Sequence, residues 1–183
     1  MMSMPEQQVA TRRMVLAGAG AGLITAAMPA VAATRPDRLS LHNLHTDETL
    51  DVVFRNGDRY DAGALAALDH ILRDWRRDEV LPLDPKLYDM MAAIAARVGR
   101  PPRFGIISGY RSPKTNEMLR SNGGGAAKRS LHMVGRAIDL RLEETRLTTL
   151  RDAAIAVGRG GVGFYPRSNF VHIDTGNVRS WGS

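Results

Sequence analysis

The chain contains no cysteine. That excludes disulfide staples, a lipid anchor attached through cysteine, and any metal centre built on thiolates. A bound metal would have to be held by histidine and carboxylate. Aromatic residues are scarce, at 5%. The one extended apolar stretch lies near the N-terminus and is rich in glycine. It is too short to span a bilayer, which takes about 20 apolar residues. No internal repeat is present, and the glycines at 123–125 lack both the Gly-Lys-Ser/Thr continuation and the preceding strand of a phosphate loop. They read as a linker or as a flap over a cleft.

What the N-terminus does contain is ordered like an export signal. Thr11-Arg12-Arg13-Met14-Val15-Leu16 precedes a Gly/Ala-rich run to about residue 27, and Met28-Pro29-Ala30-Val31-Ala32-Ala33 supplies a small-x-small cleavage site. This predicts a twin-arginine (Tat) signal over residues 1–32, cut near Ala32, and a mature domain at 33–183. The expected location is the periplasm, with the Tat machinery as export partner and no stable membrane anchor after cleavage. Removing the signal takes away Arg12, Arg13 and Glu6, which leaves 23 basic and 18 acidic residues and a net charge of +5. A basic surface serves solubility or attraction to a polyanion, and for an exported protein cell-wall polymers are nearer than nucleic acid.

A chain of 183 residues suits a single domain with a real core. Alternation at 39–44 and 50–54 predicts a β-hairpin, followed by an Asn56-Gly57 turn. Asp61 can cap a helix whose apolar stripe runs through Leu65, Leu68, Ile71, Leu72 and Trp75, and a second helix runs from Asp84-Pro85 to Val98 before Gly99. A buried strand at 103–107, a short helix from Ser112-Pro113, a strand at 136–142, a helix from about 143 to 157, and strands at 162–164 and 170–174 complete the pattern. Helices and strands mix without βαβ alternation. The expected class is α+β, a small, mostly antiparallel sheet with helices packed on it.

Five residues stand out chemically: Arg111, His132, Asp139, His172 and Asp174. The stretches Ser130-Leu-His-Met-Val-Gly-Arg-Ala-Ile-Asp139 and Phe170-Val-His-Ile-Asp174 read as strands or strand edges. Residues two apart on a strand share a face, so His172 and Asp174 can point into one cleft. Two imidazoles and a carboxylate are the ligand set of a catalytic zinc with an open position for water. Asp139 sits among Ala137, Ile138 and Leu140, where a charge needs an arginine, hydrogen-bond donors or a metal, and Arg136 or Arg141 could supply the first. His172 could equally be a core histidine with a satisfied hydrogen bond. His42, His45 and His70 show no ligand-like setting, Trp75 and Trp181 read as packing residues, and Tyr110 and Tyr165 are candidates to line a cleft.

Taken together, Ser108-Gly-Tyr-Arg-Ser-Pro113, Leu131-His-x6-Asp139 and Phe170-Val-His-Ile-Asp-Thr-Gly176 resemble the M15 family of zinc peptidases, with the hedgehog/D-Ala-D-Ala-peptidase fold. The similarity is strongest to its twin-arginine-exported, DUF882/YcbK-like branch, typified by murein endopeptidase K, and covers nearly all of the mature chain. The resemblance implies Zn2+ held by His132, Asp139 and His172, with Arg111 as the arginine that steadies the transition state. It implies peptidoglycan peptide stems as substrate and crosslink cleavage as activity. A D-Ala-D-Ala carboxypeptidase and a zinc-stabilised, non-catalytic wall-binding module are the alternatives. The chain departs from the wider family at the base: the usual glutamate three residues before the last histidine is Asn169, and a histidine used by other members is Phe170. Asp174 is then the candidate for base or for supporting duty, with direct ligation as a further option.

Overall fold

A computed structural model describes Met1, residues 37–123 and residues 125–182. The expected export signal lies outside them. The hairpin forms where alternation places it: β1 (Asp37–Asn43) and β2 (Thr49–Asn56) pair antiparallel, with Leu39 and Leu41 turned into the core. The short β3 (Arg59–Tyr60) follows on the far side of β2.

Helix α1 (Ala62–Ile71) starts at Asp61, whose side chain accepts from the Ala64 N–H at 2.7 Å. It stops at Leu72 rather than continuing to Trp75. The terminal carbonyls are taken by other parts of the chain: the Asn43 side-chain amide donates to the Ile71 carbonyl at 2.9 Å and the Tyr110 N–H donates to the Leu72 carbonyl at 2.7 Å. Tertiary partners at the C-terminal carbonyls end a helix that its apolar stripe would have extended.

Helix α2 (Lys86–Val98) ends on Gly99 in the left-handed region, and buries Leu87, Met90, Met91 and Ile94. Strand β4 (Arg103–Ser108) leads to α3 (Pro113–Ser121), capped by Ser112. Residues Leu131–Val134 form a short 3-10 helix, so His132, in a stretch read as a strand or strand edge, lies on a helical turn just ahead of the next strand. Strand β5 (Ala137–Leu142) precedes α4 (Leu147–Val157), which begins after a turn at Glu144 with φ of 52° rather than at Glu143.

Strands β6 (Gly161–Tyr165), β7 (Phe170–Asp174) and β8 (Arg179–Trp181) close the chain. The sheet order is β3-β2-β1-β4-β5-β7-β6-β8, antiparallel except for β1–β4 and β6–β8. The class is α+β as expected; among the described residues there are eight strands, two of which, the short β3 and β8, carry no alternation to announce them. One face of the central strands presents Phe104, Ile106, Ile138, Leu140, Val171 and Ile173 to the core under α2 and α4. The opposite face of β5 and β7 is left for Asp139, His172 and Asp174.

Candidate metal centre

Strand register brings the first two ligand candidates together. On β5 and β7, Asp139 stands directly across from His172, and Ala137 across from Asp174. Side-chain alternation sends Ile138, Leu140, Val171 and Ile173 to the core and these polar residues to the other face. His132 arrives from the 3-10 turn just before β5. Its ligand position depends on a carbonyl: the Nδ1–H donates to the Gly109 carbonyl at 2.7 Å. A carbonyl only accepts, so the proton sits on Nδ1 and the Nε2 lone pair faces the site.

His172 uses the opposite arrangement. Its Nε2 lies 3.1 Å from Asp174 Oδ2, which accepts, and Nδ1 points to the cluster. His132 Nε2, Asp139 Oδ1 and His172 Nδ1 therefore converge. The separations are 3.2 Å between the two nitrogens, 3.2 Å from His132 Nε2 to the carboxylate oxygen, and 2.8 Å from His172 Nδ1 to that oxygen. With neutral imidazoles, three lone-pair donors face one another, an arrangement that suits a cation between them. The point equidistant from all three is about 1.8 Å from each, so an ion slightly off their plane reaches zinc bond lengths of about 2.0–2.2 Å. The donor set fits the group: two nitrogens, one oxygen, no thiolate.

The electrostatics agree with that crowding. Burial pushes the Asp139 carboxyl up, yet His132 and His172 hold it well below the usual carboxylate range. Burial pushes His172 down, while the neighbouring carboxylates of Asp139 and Asp174 raise it above its ordinary value. The sequence neighbours that might have neutralised Asp139 are engaged elsewhere. Arg136 donates to Thr175 and Arg141 to the Asn169 carbonyl.

The arginine beside Asp139 is Arg111, with Nη2 at 3.5 Å from Asp139 Oδ2 and 3.3 Å from the Ser108 hydroxyl. The loop that carries it is tightly held. The Arg111 N–H donates to the His132 carbonyl, and the next N–H, of Ser112, donates to the buried Asp74 carboxylate at 2.9 Å. Gly109 is required here, since a Cβ would lie 2.3 Å from the Leu72 carbonyl oxygen. Burial lowers the Arg111 guanidinium and Asp139 opposes that shift. Arg111 Nε is buried with no hydrogen-bond partner among the described residues. The terminal nitrogens, one of them 3.5 Å from Asp139, are the part of the guanidinium that lies next to the metal-ligand candidates.

Asp174 is fully buried, and both its oxygens are occupied. Oδ1 accepts from the Gly161 and Gly176 N–H groups and from Arg179 Nη1; Oδ2 accepts from His172 Nε2 and Arg179 Nη2. Burial pushes this carboxyl up, and His172, Arg179 and the Gly176 N–H hold it far below the usual range. A carboxylate so committed can orient a histidine but is poorly placed to take a proton from water. It contacts the far nitrogen of His172 rather than joining the three converging atoms.

These groups floor a cleft of about 210 Å³. Residues 125–127 and 129–131 form one wall, tied to α3 by the Asn116 side-chain amide donating to the Ala127 carbonyl. Tyr165, Phe170 and Trp181 form the other, with Tyr165 stacked on Phe170 at 4.6 Å. Tyr165 thus lines the cleft and Tyr110 packs against the core. His42 contacts Asp47 and His45 stacks on Trp75, away from the cluster. Sequence reasoning missed Arg179 and Trp181. Both lie on a three-residue edge strand, and only the pairing of β8 with β6 brings them to the site.

A family model described as peptidoglycan L,D-endopeptidase MepK matches residues 31–181. The chain is 42% identical over 177 residues to the peptidoglycan L,D-endopeptidase MepK of Escherichia coli (strain K12), covering 94% of this chain and 97% of that protein. It is 38% identical over 152 residues to a probable peptidoglycan L,D-endopeptidase MepK of Haemophilus influenzae, covering 82% of each.

Proposed function

We infer the function from one premise: the chain belongs to the M15 peptidase family of the MepK type, the peptidoglycan L,D-endopeptidases. It is a murein endopeptidase, hydrolysing peptide bonds of peptidoglycan. The finer reading is that it is zinc-dependent and opens crosslinks between stem peptides outside the cytoplasm. The observation that carries the metal is the convergence of His132 Nε2, Asp139 Oδ1 and His172 Nδ1 within 3.2 Å of one another.

Zinc at this point would supply Lewis acidity, polarising the scissile carbonyl and making water nucleophilic near neutral pH. The protein does the rest. Gly109 and Asp174 hold the two imidazoles in opposite tautomers, each with its lone pair turned inward. Arg111 donates to the substrate oxygen as negative charge develops on it, through a guanidinium that is already desolvated and held by its loop. Tyr165, Phe170 and Trp181 give the stem peptide an apolar wall against which to lie. Asp174 is assigned to positioning His172 and not to base catalysis, because its oxygens are saturated. Asn169 adopts a φ of 54° in the turn before β7 and its carbonyl accepts from Arg141; its side-chain amide cannot take up a proton, so it does not replace the missing glutamate.

Export through the Tat route is supported by the paired Arg12-Arg13 ahead of an apolar run, and it puts the enzyme where its substrate is. The relatives' activity favours endopeptidase over D-Ala-D-Ala carboxypeptidase. The missing glutamate is what sustains a non-catalytic wall-binding module. Digestion of purified sacculi separates these readings, with fragments resolved by chromatography. Wild type is expected to release uncrosslinked muropeptides and His132→Ala to release none. Equal product from both proteins would sink the zinc mechanism, and zinc binding without any product would favour the binding module.

A further inference from the structure

Strand β6 carries glycine at the two positions that separate β8 from the ligand-bearing β7. Gly163 pairs with His172 on one side and Trp181 on the other, and Gly161 pairs with Asp174 and Arg179 in the same way. A Cβ on Gly161 would lie 2.5 Å from both Arg179 Nη1 and Asp174 Oδ2, and one on Gly163 would lie 2.7 Å from the Trp181 ring. The two missing side chains let β8 reach across β6 and touch β7. Arg179 crosses to Asp174 with both terminal nitrogens, at 3.1 and 2.7 Å, and its guanidinium lies 4.8 Å from the centre of the Trp181 ring. Trp181 leans on His172 with ring centres 5.3 Å apart and donates its N–H to the Tyr165 hydroxyl at 2.9 Å.

The simpler account is a partly buried ion pair that stabilises an edge strand. Such pairs return little net stability, because desolvation offsets the attraction. Here the carboxylate has one more side-chain partner, and that partner is the outward nitrogen of a metal-ligand candidate. The device acts on the imidazole more directly than on the fold.

We propose that β8 is a working part of the metal centre: Arg179 is a positioning residue that clamps Asp174 so that His172 keeps its proton on Nε2 and its Nδ1 lone pair on the metal, and Gly161 is the gap that admits the clamp. The proposal rests on the zinc reading above and extends it to a strand outside the ligand motifs.

The test measures zinc affinity by competition with a chromogenic chelator, for wild type, Arg179→Ala, Arg179→Lys and Gly161→Ala, alongside thermal midpoints of the metal-free proteins. Arg179→Ala and Gly161→Ala are expected to weaken zinc binding about 10–100-fold, the range for lost outer partners of a metal-bound histidine. Gly161→Ala removes no charge, so its loss would come from crowding the clamp. Arg179→Lys is expected to fall between, since an ammonium offers a point charge and not a fork. Zinc affinities within about twofold of wild type in both Arg179→Ala and Gly161→Ala, with metal-free midpoints lowered, would show a purely structural pair and overturn the proposal. A wild type that binds no zinc would overturn the zinc reading together with it.

Discussion

Arg111→Ala isolates the electrostatic half of the proposed chemistry. The Arg111 side chain is only 12% exposed, and its guanidinium stands 3.5 Å from Asp139 Oδ2, at the edge of the three converging atoms. A developing oxyanion about 4 Å away in a medium of effective dielectric near 20 would gain about 4 kcal/mol from that charge, a factor of about 10³ in rate. Asp139 already offsets part of the charge, so the expected loss in kcat is about 10²–10³, the range for removal of one oxyanion donor. KM should move little, because the interaction strengthens only as the carbonyl becomes tetrahedral. The assay is turnover of a purified crosslinked muropeptide, with zinc content measured on the same samples. Arg111→Lys should recover only part of the rate, since one ammonium cannot reproduce the fork that holds Asp139 and the substrate oxygen together. A variant with full zinc content and kcat within about threefold of wild type would refute the assignment. So would a fall in rate that tracks lost zinc.

Two further outcomes follow from other parts of the chain. Asp74 is buried and accepts from the Ser112 and Arg76 N–H groups; burial raises its pKa, but hydrogen bonds from Thr115 and Ser112 hold it below the ordinary value. Its folded pKa is depressed, so its stabilisation is present above the unfolded value of about 3.9 and is lost as pH falls through the lower folded value. Asp74→Asn should therefore be less stable than wild type at pH 7 and show a shallower decline in thermal midpoint below about pH 4; parallel pH profiles would contradict this. Replacing Arg12 and Arg13 with lysine should leave an uncut precursor in the cytoplasm, read by fractionation and immunoblotting, and normal processing would argue against the Tat route.

Asp139 shows how far the linear chain can be read. A carboxylate flanked by Ala137, Ile138 and Leu140 has to find a partner, and that necessity is visible in order of residues alone. Which partner is not visible. Arg136 and Arg141 are nearest in sequence, yet their side chains go to Thr175 and to the Asn169 carbonyl, while Arg111 and two histidines from other segments reach Asp139. The α1 boundary failed for a related reason. Its stripe continues to Trp75, but Asn43 and Tyr110, distant in sequence, capture the last carbonyls. His132, in a stretch that reads as a strand or strand edge, lies on a 3-10 turn, with the same outcome for the site because the Gly109 carbonyl sets its ring.

The sequence by itself determined the class of the fold and, through motif resemblance, singled out His132, Asp139, His172 and Arg111 as candidates. Those follow from alternation, from polar residues stranded in apolar runs, and from motif resemblance. Only the tertiary structure decided which nitrogen of each histidine faces the site, that Asp174 is tied down by five donors, and that Arg179 and Trp181 belong to the same centre. The physical reason is register. Pairing of β5, β7, β6 and β8 sets Asp139, His172, Gly163 and Trp181 in one row and Ala137, Asp174, Gly161 and Arg179 in the next. A three-residue strand joined through glycines carries no periodic signal, and its contribution exists only once the sheet has formed.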